Sequence, residues 1–295
     1  MRIGMTLPVM EPDLDAGVLE AWCRAIDDGP FSSVCFGERM AFDNPEILTL
    51  LGAVAAWTSR VEVVTTVVVP QLHDPVMLAK SLATADVLTR GRLTVGLGVG
   101  GRREDYLAVA ADPATQTMAE LERRALTMKR VWAGDESPEG VRPVGPPPVQ
   151  PGGPPLLVGT MGPRTMRSAV TWAEGLAGVS MDLDLASVGA LFDVARSAWS
   201  DAGRGTPRLC TSTWFALDDG DGSARAQVHA HLLHYLNWLP VSIVDPLARG
   251  SGFAGTGAEL RDLLMRIEDL GTDELHLIPT GKDVAQVERV AALVG

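Results

Sequence analysis

Residues 61–69 read Val-Glu-Val-Val-Thr-Thr-Val-Val-Val. A run so rich in β-branched apolar side chains predicts a strand covered on both faces, as parallel sheets require. Similar short runs recur along the chain, each answered by a helical pattern. Strands are predicted at Arg2–Leu7, Ser32–Glu38, Val61–Val69, Arg92–Gly98, Leu156–Thr160, Leu176–Met181, Arg208–Leu217 and Glu274–Pro279. Helices are predicted at Leu14–Asp28, Pro45–Thr58, Asp74–Leu88, Met118–Trp132, Pro163–Glu174, Leu185–Ala202, Ala224–Leu239, Ala258–Leu270 and Val284–Val294. In the first of these, Leu14, Val18, Leu19, Trp22 and Ile26 approach a 3.6-residue period. Eight strands, each followed by a helix, within 295 residues is the count of an α/β fold of the (β/α)8 barrel type. A doubly wound open sheet would use the same alternation, but it would usually carry a GxGxxG turn after its first strand. Here that turn is Pro8-Val9-Met10-Glu11-Pro12.

One segment interrupts the alternation. In Pro143–Pro155, 7 of 13 residues are Pro and 3 are Gly. A domain linker and a rigid loop within one domain both fit this composition. The pattern resumes unchanged afterwards, which favours the loop and a single domain over residues 1–295. Val241–Thr256 is Gly-rich and reads as irregular, with Thr256 as the N-cap of the helix that follows.

The 37 acidic and 25 basic residues leave a formal net charge of −12. That field repels polyanions, so neither nucleic acid nor an anionic membrane is an expected partner. No apolar stretch reaches the ~18 residues that span a bilayer. MRIGMTLPV reads as a strand and not as a signal peptide. Cys23, Cys35 and Cys210 form no CxxC pair, which fits a reducing cytoplasm.

In a barrel of this kind chemistry gathers at the C-terminal ends of the strands. The residues there are Gly37-Glu38-Arg39-Met40, Thr65-Thr66, His73, Val99-Gly100-Gly101 with Arg102-Arg103-Glu104, and Gly159-Thr160-Met161-Gly162-Pro163-Arg164-Thr165, with Ser180 after the sixth strand. Gly159–Thr165 is the most informative. Its glycines admit a ligand close to the backbone, Pro163 opens a helix whose free N–H groups favour an anion, and Arg164 offers a charge-assisted partner. A tight strand-to-helix turn explains the same residues equally well. Thr65 and Thr66 fit a ligand edge or plain β-propensity. His231 and His234 share a helical face and could seat a metal, but no HExxH accompanies them and no metal site is expected.

These residues resemble the bacterial luciferase-like oxidoreductases. Thr65–Tyr106, TTVVVPQLHDPVMLAKSLATADVLTRGRLTVGLGVGGRREDY, is similar to the family's third strand, its Pro-containing loop and helix, and the glycine-rich end of its fourth strand. Val149–Gly178, VQPGGPPLLVGTMGPRTMRSAVTWAEGLAG, is similar to its fifth strand and the following helix. Gly255-Thr256 and Thr272–Gly281 are similar to its C-terminal part.

The resemblance implies a luciferase-like barrel with an insertion that binds coenzyme F420, or alternatively FMN. It implies hydride transfer to or from a small organic substrate, or its monooxygenation. The ring is expected against a bulge at Thr65-Thr66, often with a non-proline cis peptide, and beside Val99, Gly100 and Gly101. The phosphate is expected from Gly159 to Thr165, with Ser180 nearby. Family members often read Glu-His after the second strand, whereas this chain reads Glu38-Arg39. Arg39 cannot act as a base, so Glu38 handles the proton, or Arg39 holds an anionic substrate or the reduced ring's charge. A flavin carrier without turnover and a metal-dependent barrel hydrolase remain as alternatives. A homodimer is also implied, and Ile47, Leu48, Leu50, Leu51, Val54 and Trp57 spread over more than one face of their helix.

Overall fold

In the computed structural model, residues 1–135, 139–160, 162–178, 183–218 and 220–295 are described. Among them, nine strands make one sheet: β1 (Arg2–Thr6), β2 (Ser33–Phe36), β3 (Glu62–Val68), β4 (Leu93–Leu97), β5 (Leu156–Gly159), β6 (Gly175–Gly178), β7 (Arg208–Leu217), β8 (Phe253–Gly255) and β9 (Glu274–Pro279). The hydrogen-bonded order is β6-β5-β4-β3-β2-β1-β9-β7-β8, and a further β6–β7 pairing closes the ring. Every pairing is parallel. Eight strands therefore form a closed (β/α)8 barrel, and β8 rides outside it on β7, with Phe215 opposite Phe253.

The surrounding helices are α1 (Ala16–Asp28), α2 (Ile47–Trp57), α3 (Pro75–Leu88), α4 (Arg103–Ala108), α5 (Met118–Ala133), α6 (Pro163–Ala169), α7 (Leu185–Asp201), α8 (Ser223–Tyr235), α9 (Val241–Gly250), α10 (Gly257–Glu268) and α11 (Ala285–Val294). Side-chain caps set several starts. Asp15, Asp74 and Thr117 accept N–H bonds from the first turns of α1, α3 and α5, and Thr256 with Glu259 forms a capping box on α10.

Three expectations need correction. Val241–Thr256 is not irregular, because it holds α9 and β8. Pro246 inside α9 and the glycines around β8 hide both elements from pattern reading, although Val244 and Ala248 are buried. The helix after β5 stops at Ala169 and does not reach Glu174. Pro45 stands outside α2, whose cap is Glu46: its carboxylate accepts the Leu48 and Thr49 N–H groups at 2.9 and 2.7 Å. The apolar residues of α2 find their cover within the chain: Ile47, Leu50, Leu51 and Val54 are buried, and Leu48 and Trp57 pack half-buried on the core.

The Pro-rich segment is fastened to the barrel. The buried Asp86 carboxylate on α3 accepts the Val149 and Gln150 N–H groups at 2.7 and 3.0 Å. The Gln150 amide bridges from Asp86 to the Leu93 carbonyl at 2.8 and 2.7 Å.

First residues of several strands form a charged floor at the N-terminal end. Arg208 grips Glu62 with two bonds of 2.6 and 2.9 Å and also pairs with Glu274. Glu274 further accepts from the Ser32 and Ser33 hydroxyls at 2.5 and 2.7 Å. Burial opposes its charge, yet His276, the Arg208 guanidinium and these hydroxyls hold its carboxyl far below the usual range.

Candidate active site

The C-terminal end of the barrel opens into two adjoining cavities. The larger, about 210 Å³, lies between the ends of β1 to β4, β7 and β9 on one side and α8 on the other. The smaller, about 120 Å³, reaches across to Gly159, Gly178, Ser212 and His276. Thr6, Thr66, Val67 and Ile278 line both.

The partition between the cavities is an irregularity in β3. Its register with β4 shifts between Thr65 and Val68, and the Thr66–Val67 peptide bond is cis. The bulge thus sits one residue further along than Thr65-Thr66. Neighbouring strands make room for it with glycine. A Cβ on Gly37 would lie 2.7 Å from the Thr66 carbonyl oxygen, and one on Gly98 would lie 2.7 Å from Val67 Cγ2. This close approach accounts for part of the Val-Gly-Leu-Gly-Val-Gly run.

The two threonines part company. The Thr65 hydroxyl is buried and donates to the Gly96 carbonyl at 3.0 Å, away from both cavities. Thr66 faces both. Glu38 lines the larger cavity, but both its oxygens are engaged: one accepts the Val69 N–H at 2.7 Å and the other meets His73 Nε2 at 2.6 Å.

Arg39 turns away from Glu38. Its guanidinium is buried, 3.4 Å from Asp105 Oδ2 and 4.4 Å from the Phe42 ring centroid. Burial first, and the neighbouring charge of Arg102 second, push its pKa below the ordinary arginine value. Arg102 is buried as well, with its guanidinium 4.6 Å from the Tyr235 ring centroid, and it lines the larger cavity.

The opposite wall is aromatic. His231 and Tyr235 stack at 6.0 Å between centroids and 10° between planes, and Trp214 lies 6.0 Å from Tyr235. His231 Nδ1 is held by the Glu11 carboxylate. His231 Nε2 is buried and has no hydrogen-bond partner among the described residues.

The expected site residues therefore divide. Glu38, Thr66, Gly100 and Gly101 line the larger cavity, and Thr66 and Gly159 the smaller. Arg39, Thr65, Val99, Thr160, Gly162, Pro163, Arg164 and Thr165 line neither. The Val99 carbonyl is taken by the Tyr106 hydroxyl at 2.8 Å. The Thr160 hydroxyl accepts the Gly162 N–H at 3.1 Å, and Arg164 is exposed on the seven-residue α6. Met161 and Ser180 lie outside the described residues.

The histidines of α8 go to different partners. His229 pairs with Asp245 at 2.8 Å, His231 with Glu11, and His234 lies against Phe42 with ring centroids 5.0 Å apart. Among the described residues, the group of three whose ligand atoms come within 4.8 Å of one another is Cys210, Glu274 and His276, and Glu274 is already paired with Arg208. Arg102, His231, Tyr235 and Trp214 emerge as cavity residues that pattern reading did not assign to a ligand. The one signal for His231 is its spacing with His234 on one helical face, which could seat a metal but reads as an ordinary set of helical histidines.

A family model described as luciferase-like monooxygenase matches residues 1–276. An uncharacterized protein of Mycobacterium tuberculosis is 33% identical over 169 residues, which is 54% of this chain and 58% of that protein. The chain thus spans little more than half the length of such relatives. An F420-dependent glucose-6-phosphate dehydrogenase of Kineococcus radiotolerans is 33% identical over 91 residues, 30% of this chain and 27% of that protein. Among solved structures, an F420-dependent secondary alcohol dehydrogenase in complex with an F420–acetone adduct superposes with a TM-score of 0.82 at 14% identity, covering 100% of this chain and 99% of that one. The monooxygenase RslO1 of Streptomyces bottropensis gives 0.79 at 23% identity over 100% and 98%. The FMN-bound oxygenating constituent of 3,6-diketocamphane monooxygenase of Pseudomonas putida gives 0.75 at 17% identity over 100% and 98%. These likenesses agree on the barrel, and with the match over residues 1–276 the chain belongs to the luciferase-like monooxygenase family.

Proposed function

We propose that the protein is an oxidoreductase that uses coenzyme F420, or alternatively FMN, to oxidise, reduce or oxygenate a small organic substrate. The observation that carries this reading is the pair of cavities meeting at the Thr66–Val67 bulge, where a flat ring would lie against backbone. Glycines at 37 and 98 clear the space around that bulge. Bound there, the cofactor supplies hydride or activated-oxygen chemistry, and the protein supplies orientation and charge. The backbone at Thr66–Val67, Gly100 and Gly159 would hold the ring, and the Thr160–Thr165 turn the phosphate. Kinship with F420-dependent proteins supports F420, and the FMN-bound neighbour keeps FMN as the alternative.

Proton handling falls to His231. His231 lines the larger cavity, its Nε2 is buried with no hydrogen-bond partner among the described residues, and Glu11 holds the ring through Nδ1. Glu38 holds the loop after β3 and does not need to move a proton. A flavin carrier without turnover was the reading suggested by Arg39 in place of histidine. His231 restores an imidazole to the site from α8 and favours an enzyme.

No described helix is long and apolar enough to cross a membrane, and Cys23, Cys35 and Cys210 are buried free thiols, consistent with a cytoplasmic protein. A homodimer would cover Met77 and Leu88 on α3, which are 60% and 53% exposed. Light scattering at micromolar concentration tests it, and a monomer would end that inference.

The cofactor reading is tested by titrating the purified protein with F420 and with FMN, following absorbance and fluorescence. Saturable binding of either at micromolar concentration is expected. Binding of neither would overturn it.

A further inference from the structure

We infer that Arg102, with the charge of Arg39 behind it, forms a receptor for an anionic group, a carboxylate or phosphate, carried by the substrate. The inference rests on the reading above, in which the ring occupies the Thr66–Val67 end of the site.

Both guanidinium groups are more than nine-tenths buried, with residue exposures of 4% and 8%. They converge on Tyr235 from different elements. Arg39 follows β2, and Arg102 follows β4. Each reaches the Tyr235 carbonyl only at long range, 3.4 and 3.5 Å, and each lies over its ring, at 5.8 and 4.6 Å from the centroid. Among the described residues, Arg39 Nε has only its 3.4 Å ion pair with Asp105, and Arg39 Nη2 and Arg102 Nε have no hydrogen-bond partner. Trp238 Nε1, beside Arg102, has none either.

The charges do not balance. Among the described residues, one carboxylate, Asp105, faces the two cations, at 3.4 Å from Arg39 Nε. Its other oxygen is spent on the Met40 and Ala41 N–H groups at 3.0 and 2.7 Å. Glu38 is held by Val69 and His73, and Glu11 by His231. A buried cation without an anion is costly, and a buried donor without an acceptor adds to the cost. The depression of the Arg39 pKa by burial and by Arg102 reflects that imbalance. An anion beside Arg102 in the cavity would remove it. Guanidinium forks favour carboxylate and phosphate oxygens over halide-like spheres.

Position assigns the anion to the substrate. Arg102 lines the larger cavity, which no residue of β5 or α6 lines, whereas the turn from Thr160 to Thr165 begins beyond the smaller one. Arg102 and His231 line the same cavity, so one ligand would be anchored by charge at one wall and meet the imidazole at the other.

The test measures anion binding to the cofactor-free protein by calorimetry, with inorganic phosphate in one arm and acetate in the other. One-to-one binding of at least one is expected, weakened tenfold or more in Arg102→Met and in Arg39→Met. Failure of both anions to bind, or equal binding in folded variants, would overturn the proposal. If the variants do not fold, arginine Nε–H signals in the wild-type NMR spectrum decide: movement of two buried signals on phosphate or acetate addition supports the receptor, and no movement overturns it. F420 and FMN titrations of the same variants separate the sources. Unchanged cofactor affinity assigns the anion to the substrate. Lost cofactor affinity assigns it to the cofactor and overturns the substrate claim. Failure of the cofactor reading is seen separately, as wild-type protein that binds the anion but neither cofactor.

Discussion

The Glu38 carboxylate lies 2.6 Å from His73 Nε2, and its other oxygen accepts the Val69 N–H at 2.7 Å. Glu38 follows β2 and His73 follows β3, so the pair ties two strand ends together at the wall of the cavity that Glu38 lines. A carboxylate with both oxygens engaged is a brace before it is a base. The opposite wall offers His231 as a second candidate for the proton chemistry expected of Glu38.

If Glu38 is a brace, its loss registers in stability. Glu38→Ala leaves the Val69 N–H and His73 without their acceptor and should cost about 1–3 kcal/mol, the range for stranding a buried donor. Glu38→Gln keeps an oxygen for Val69 and should cost less. Urea unfolding of the two variants checks the order. A Glu38→Gln protein of native stability whose turnover drops ~100-fold or more would return the proton to Glu38.

The two threonines of β3 give a paired prediction. Thr65→Val removes the hydroxyl that bonds Gly96 at 3.0 Å and should cost about 0.5–1.5 kcal/mol, with cofactor binding unchanged. Thr66→Val should leave stability nearly unchanged and impair cofactor binding or turnover. Thermal denaturation beside a cofactor titration separates the two. The reverse pattern would place the ring elsewhere.

The fold was legible because its signals are local. β7 and β9 begin and end where their alternation with turns and helices says, at Arg208–Leu217 and Glu274–Pro279. Elements whose local chemistry contradicts their state were not legible, as with α9 and its internal Pro246. The cavity lining was legible only where one strand end carries it, as at Glu38, Thr66 and Gly100. Arg102 reaches Tyr235 across 133 positions and His231 reaches Glu11 across 220, and no spacing rule spans such separations. His231 looked like one of three helical histidines, and only its partner on the loop after β1 distinguishes it from His229 and His234.

The charged floor predicts the pH dependence of stability. Glu274 has a depressed folded pKa, so its stabilisation is present above the ordinary carboxyl value of ~4.3 and is lost as pH falls through its folded value. His276 behaves in the opposite sense. Burial works against its charge, but Cys35, Glu274 and Cys210 raise its pKa well above 6.5. Its contribution is complete below that value and is lost as pH rises through the folded one. Urea midpoints from pH 3 to 9 should therefore fall at both ends. Glu274→Gln should flatten the acid limb while lowering the midpoint at neutral pH, because Arg208 loses an anion. An acid limb of unchanged slope in that variant would show that other carboxylates govern it.

The strongest chemical prediction belongs to His231. The residue lines the larger cavity, its Nε2 is buried with no partner among the described residues, and its Nδ1 is held by Glu11. His231→Gln keeps a polar side chain in the wall but cannot carry a proton through an imidazolium. Turnover, read as cofactor oxidation or reduction with whichever substrate a screen returns, should fall by ~10²–10⁴-fold. Cofactor affinity should stay within about twofold, since affinity arithmetic puts that at under ~0.5 kcal/mol. Glu11→Gln still accepts the Nδ1 proton but no longer stabilises the imidazolium, so its loss should be smaller than that of His231→Gln. Full activity in His231→Gln would leave the cofactor or an ordered water as the proton carrier. A loss confined to Glu11→Gln would instead mark the pair as a brace between the loop after β1 and α8.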